Sequence, residues 1–223
     1  MHLKKNQTVY CNYAALNYMD SNINVHTKTG GVISGFIRSL FTDTSMFQNY
    51  FTGTNDNESI ISFSSFLPGD IIAMKIKPGE SFIIAENGFL AATENINIST
   101  TTKFKNLFTS SPIAMNEISI DSKSNKEGMV WISSYGGFDK IVIDAGKKIK
   151  VDSGLFAFAN KKYDYSISTI GNVKSMVLSG HNIMMEFEGP SEIYVRSNNV
   201  NKFANFILSK AKQQFASKKT KNK

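Results

Sequence analysis

The chain has 223 residues, 41% of them hydrophobic, with 25 basic and 18 acidic side chains and a net charge of +7. That length allows one large or two small domains with a sizeable core. The lone Cys11 excludes an intrachain disulfide, and no apolar run approaches the roughly 20 residues that a transmembrane helix needs. The charge is unevenly placed. After Glu192 there is no acidic residue, whereas Arg196, Lys202, Lys210, Lys212, Lys218, Lys219, Lys221 and Lys223 follow it. The body is therefore near neutral and the C-terminal segment basic, which argues against a nucleic-acid-binding body.

The first six residues, Met1-His2-Leu3-Lys4-Lys5-Asn6, lead into no apolar h-region, so neither a secretory signal nor an organelle presequence is expected. A short strand at Gln7–Tyr10 passes through Ala15-Leu16 to an alternating strand at Ile23–His26. After Gly30-Gly31, the spacing of Phe36, Ile37, Leu40 and Phe41 predicts one or two helical turns over 35–41. Strands follow at Ile60–Ser64 and Ile71–Ile76. Gly79–Ile84 then runs through Gly88–Ala91 to Ile96–Ser99. Next come strands at Ile113–Ile120 and Met129–Ser133, with the wholly polar Asp121–Glu127 between them as a hairpin connection, and a strand at Lys140–Ile143. Gly146–Val151 runs through Gly154–Ala157 to Tyr163–Ser166. In the strand Ile183–Glu188, alternation places Met185 and Phe187 inward and Glu186 and Glu188 outward. Glu192–Arg196 completes the strands, and Pro68-Gly69, Pro78-Gly79, Asn87-Gly88 and Gly189-Pro190 supply turns.

Three of these stretches share one plan of two short strands and an alternating third, spaced roughly 70 residues apart. The expectation is an all-β (mainly β) body over 1–197, a roll or barrel of three repeats at about 6–73, 74–140 and 141–197. Three small modules sharing one core bury more apolar surface than any one alone. Beyond it, 198–217 reads as an amphipathic helix, with Phe203, Ala204, Ile207, Leu208, Ala211 and Phe215 in one stripe opposite Asn205, Ser209 and Lys212. Residues 218–223 read as a disordered basic tail. The stripe is expected to dock on the β body. The alternative is a helix for a partner or an anionic membrane surface, with Lys210, Lys212, Lys218, Lys219 and Lys221 supplying the attraction.

Reactive chemistry finds little support. His2, His26 and His181 have no metal-ligand spacing. Cys11 with His26 or His181 suggests a thiol and its base, but a cysteine inside a strand reads better as a buried, inert thiol. Glu186 and Glu188 look equally solvated, so they lack the unlike environments of an acid–base pair. Gly30-Gly31 and Gly35 match no phosphate-loop pattern. Ser133-Ser134-Tyr135-Gly136-Gly137 reads as a glycine-rich hairpin corner, and Trp131 reads as core. No catalytic residue, cofactor or metal site is assigned.

Asn17-Tyr18-Met19-Asp20, Thr27-Lys28-Thr29-Gly30-Gly31, Met46-Phe47-Gln48-Asn49-Tyr50-Phe51-Thr52-Gly53 and Pro68-Gly69-Asp70-Ile71 occur in order, with Ile132–Gly136 and Gly189-Pro190 further on. Together these motifs resemble the altered inheritance of mitochondria 24 family, also called the mitochondrial biogenesis family, over about residues 7–197. The resemblance implies a β roll of internal repeats, related in shape to the tryptophan RNA-binding attenuation protein, and assembly into homotrimers or other rings. It carries over no catalytic residue or cofactor. Members occur in bacteria and mitochondria, one of them linked to inner-membrane organisation. The absence of an evident presequence, Ala14 in place of a usual glycine, and the Lys/Asn richness depart from the family's pattern and weaken a mitochondrial assignment, so a cytoplasmic or other reducing compartment is expected, with a mitochondrial one as the alternative.

The functional expectation is a non-enzymatic, oligomeric scaffold or protein–protein interaction protein. Its alternative is a nucleic-acid or anionic-surface binder acting through the basic C-terminal segment. A third reading, an enzyme, requires a pocket gathering Cys11, a histidine and a carboxylate.

Overall fold

A computed structural model describes residues 1–12, 15–29, 47–101, 115–168 and 183–221. The turns expected at 35–41, the glycines at 30–31, and His181 lie outside them. The first third of the chain forms β1 (His2–Leu3), β2 (Thr8–Cys11), β3 (Leu16–Met19), β4 (Ile23–Thr29), β5 (Phe47–Gly53) and β6 (Ser59–Phe63). The middle forms β7 (Ile71–Ile76), β8 (Ser81–Ala85), β9 (Phe89–Thr93), β10 (Asn97–Thr101), β11 (Met115–Ser119) and β12 (Gly128–Ser133). The last third forms β13 (Phe138–Ile143), β14 (Lys148–Asp152), β15 (Phe156–Asn160), β16 (Tyr165–Ser168), β17 (Met184–Glu188) and β18 (Ser191–Arg196), followed by helix α1 (Val200–Lys221).

The strands make four sheets, ordered β1-β6-β3, β4-β5-β2-β9-β12-β7, β10-β11-β8-β15-β18-β13 and β14-β17-β16. Among the described residues none closes into a barrel, and the named strand pairs are antiparallel. Successive side chains of a strand point to opposite faces, and the two six-stranded sheets use both faces for core. Val9 and Cys11 of β2 meet Leu3 and Ile61 of the first sheet, together with Phe51. Tyr10, between them in sequence, faces the other way into a cluster with Ile84, Ile118 and Phe158 of the third sheet. Ile83, Phe156 and Ile193 of that sheet pack on Val151, Met185 and Phe187 of the fourth. The sheets thus lie one on another with an apolar layer in each gap.

This layering explains which strands read clearly in sequence. The fourth sheet has one wet face. Met185 and Phe187 are fully buried, while Glu186 and Glu188 reach Lys150 and Lys148 across the strand pair. Strands β2, β9 and β15 have two dry faces and are apolar or small almost throughout. Each fully buried branched or aromatic side chain contributes ~1.5–3 kcal/mol.

Two connections differ from expectation. Residues 121–127 were expected to close a hairpin, but β11 and β12 belong to different sheets. The polar run carries the chain from one layer to the next instead. The glycine-rich stretch at 133–137 does the same between β12 and β13. A polar loop marks where the chain meets water, and it does so whether the next strand pairs with the last or crosses over.

Candidate interaction surface

Helix α1 leaves the β body through Ser197-Asn198-Asn199, and two glycines shape its seat. Gly136 adopts φ +78°, and the side chains of Ser197 and Asn198 fill the space a Cβ would take there. The Gly137 amide donates to Ser197 Oγ at 2.8 Å, and the Ser197 amide donates to the Gly137 carbonyl at 3.0 Å. At Gly154 the Asn199 side-chain amide occupies the corresponding place. Asn199 also caps the helix: its Oδ1 accepts the Lys202 amide at 3.1 Å. Lys202 Nζ reaches Asp152 at 3.1 Å, and the Phe203 ring lies 5.6 Å from that of Tyr135. These groups border an open cleft of about 370 Å³.

Past this first turn the expected docking does not occur. Phe203, Phe206, Ile207 and Leu208 are about half exposed, at 48–57%, and Lys210 and Lys212 are exposed with them. The seat directs the helix away from the body, so the stripe that ought to find a core meets solvent. The helix also runs to Lys221, through positions 218–221 that were expected to be tail. Lysine is a good helix former, and no Gly or Pro intervenes. Phe215, Lys218, Lys219 and Lys221 all fall on this helical backbone. Arg196, one of the positive charges that follow Glu192, ends β18 as the strand expected at Glu192–Arg196 has it. It is 7% exposed, its Nε and Nη2 have no partner, and burial lowers its pKa. Sequence reasoning missed the seat and Phe206. The glycines that shape the seat, Gly136 and Gly154, lie more than 40 residues from Ser197-Asn198-Asn199 in sequence, so no local pattern signalled it.

A second surface feature is a pair of strand edges. β9 and β15 each have strands on both sides and are buried along nearly their whole length. Among the described strands β3 pairs only with β6, and its Leu16 and Tyr18 are 37% and 60% exposed. Among the described strands β14 pairs only with β17. These two open edges lie in the first and last sheets.

The groups considered for chemistry that lie among the described residues form no assembled centre there. Cys11 is fully buried, and burial pushes its thiol up to about 12. His26 is exposed and stacks on Tyr50 at 5.1 Å, and His2 sits 3.6 Å from Glu58. Among the described residues no three His, Cys, Asp or Glu side chains cluster as metal ligands. No helix among them is long and apolar enough to cross a membrane.

These features define a layered, mainly β protein with open strand edges, β3 and β14 among them, and a projecting C-terminal helix. A family model described as Mitochondrial biogenesis AIM24 matches residues 1–198, and the chain belongs to that family. An uncharacterised protein of Streptococcus pyogenes serotype M6 is 23% identical over 211 residues, covering 91% of this chain and 82% of the relative. A crystal structure of a protein from Streptococcus pyogenes has the same fold, with a TM-score of 0.71 at 20% identity over 93% of this chain and 91% of that one. Helix α1 begins beyond the residues that the family model matches.

Proposed function

We propose that this protein is an oligomeric β scaffold whose copies join head to tail, β14 of one against β3 of the next. What supports this reading is the order of strand pairing. β2 pairs with β9, and β8 with β15. In the first pair Tyr10 stands opposite Ala92 and Cys11 opposite Ala91; in the second Ile83 stands opposite Ala159 and Ile84 opposite Phe158. Strands β3, β9 and β15 each meet their other partner with a register shift at the matching place, between Leu16 and Tyr18, between the partners of Trp131 and Ile132, and between Phe156 and Phe158.

If the chain is three rounds of one pairing scheme, β14 is the third member of the set β2, β8 and β14, and β3 is the first of the set β3, β9 and β15. Among the described strands, both lack the neighbour that the scheme gives their counterparts. They lie in the outermost of four stacked sheets, about 30 Å apart at roughly 10 Å per layer, so a second copy is the natural partner. Open edges of this kind favour strand addition. Carrying the register over puts Lys150 opposite Met19 and Val151 opposite Tyr18. Contacts of this head-to-tail type close into rings when the rotation permits, and a trimer is the favoured ring.

The test is light scattering on the full chain, with cysteine cross-linking of Tyr18→Cys combined with Val151→Cys in a Cys11→Ala background. The reading expects multimers that the disulfide renders resistant to detergent. A monomer at micromolar concentration, with no cross-link formed, would overturn it.

A further inference from the structure

We infer that α1 is an anchor for an anionic lipid surface, on evidence separate from how copies of the β body assemble. The helix is fixed at its base by Asn199, by the Lys202–Asp152 pair and by the Phe203–Tyr135 contact, yet its next turns present Phe206, Ile207 and Leu208 to solvent. Helices are ordinarily stabilised by burying an apolar face. Nothing in the described β body covers this one.

Charge and shape identify the occupant. From Val200 onward the sequence holds no Asp or Glu, and the helix carries Lys202, Lys210, Lys212, Lys218, Lys219 and Lys221. Such a helix repels a second copy of itself and attracts an anionic surface. At about 100° per residue, Phe206, Phe203, Ile207, Ala211 and Leu208 spread over roughly 200° of the helix circumference. That is wider than the narrow seam one partner helix covers, and it suits a helix half sunk in the headgroup–acyl boundary. Lys210 falls within this arc, between Phe206 and Phe203, and its Nζ lies 5.7 Å from the Phe206 ring; a lysine there can extend to phosphates while its stem rests on apolar surface. Nucleic acid fits less well, since Ile207 and Leu208 offer neither charge nor a stacking face. The helix is about 33 Å long at 1.5 Å per residue and lacks the hydropathy to cross a bilayer. It lies along the surface.

The experiment is co-sedimentation of the full chain with extruded vesicles of phosphatidylcholine alone and of phosphatidylcholine containing phosphatidylserine. The expected result is binding to the anionic vesicles only, weakening as salt rises. Lys210→Gln should lower vesicle affinity about fivefold, the equivalent of ~1 kcal/mol per lysine near a charged membrane. The double change Phe206→Ser with Ile207→Ser should abolish sedimentation while leaving thermal unfolding of the body unchanged. Three results would overturn the inference. They are equal binding to neutral vesicles, binding to neither, and binding to a single-stranded oligonucleotide that outcompetes vesicles and survives the double change.

Discussion

Ile83 and Ile84 are neighbours on β8, yet they pack into different apolar layers, Ile83 against the fourth sheet and Ile84 against the second. A strand with both faces dry has no redundant face, so each side chain is a separate load on stability. Ile83→Ala and Ile84→Ala should each destabilise by about 2–5 kcal/mol, as truncation of a buried isoleucine does. Urea denaturation of the two variants measures this. A cost below about 1 kcal/mol for either would mean that one side of the third sheet is not core.

The outer sheet behaves differently on its two sides. Lys148–Glu188 at 3.0 Å and Lys150–Glu186 at 3.3 Å line its solvent face, where ion pairs are screened and weak. Glu188→Gln should leave the denaturation midpoint unchanged. Met185→Ala, on the buried face of the same strand, should lower it by the equivalent of about 2–5 kcal/mol. Equal effects of the two substitutions would contradict the one-sided burial.

Cys11 gives a pH prediction. Burial raises the folded-state thiol from its ordinary value of 9.0 to about 12. Between these values the unfolded chain has lost the proton and the folded chain has kept it. The contribution is therefore complete below pH 9 and declines as pH rises towards 12, beyond which this group adds no further slope. A thiol reagent at neutral pH should react with the native protein only as fast as it opens. Comparison of Cys11→Ala with the parent across that range isolates the contribution, and identical pH profiles would refute it.

The seat of α1 is testable at Gly136. Alanine there meets both a positive φ and the side chains of Ser197 and Asn198. Gly136→Ala should cost on the order of 1–3 kcal/mol and speed amide exchange at Lys202 and Phe203. Normal protection of those amides would show that the helix does not depend on this seat.

How much of this was legible in the sequence follows from burial. The alternation of Met185, Glu186, Phe187 and Glu188 was readable because one side of β17 is wet and the other dry. Val9-Tyr10-Cys11 and Ile83-Ile84 gave only strand-forming character, because every position is apolar when both faces are covered. Which layer each residue enters depends on pairing with strands far away in the chain, and local pattern carries no record of it. The same gap concealed the crossing at 121–127. In the C-terminal segment the spacing of Phe203, Ile207 and Leu208 announced a helix with an apolar side. It could not announce that Ser197, Gly136 and Gly154 would aim that side away from the body.

The seat has a geometric corollary. Because Gly136, Gly154 and Asn199 fix the direction in which α1 departs, any cyclic assembly of identical copies sets all its helices at one angle to the ring axis, and where that direction has a component along the axis they all face the same rim. Feeble individual attachments would then be added together through avidity, strengthening the grip by a factor on the order of 10²–10⁴. One rim would be sticky and the opposite rim would remain bare, giving the assembly a fixed polarity that a lone protomer lacks.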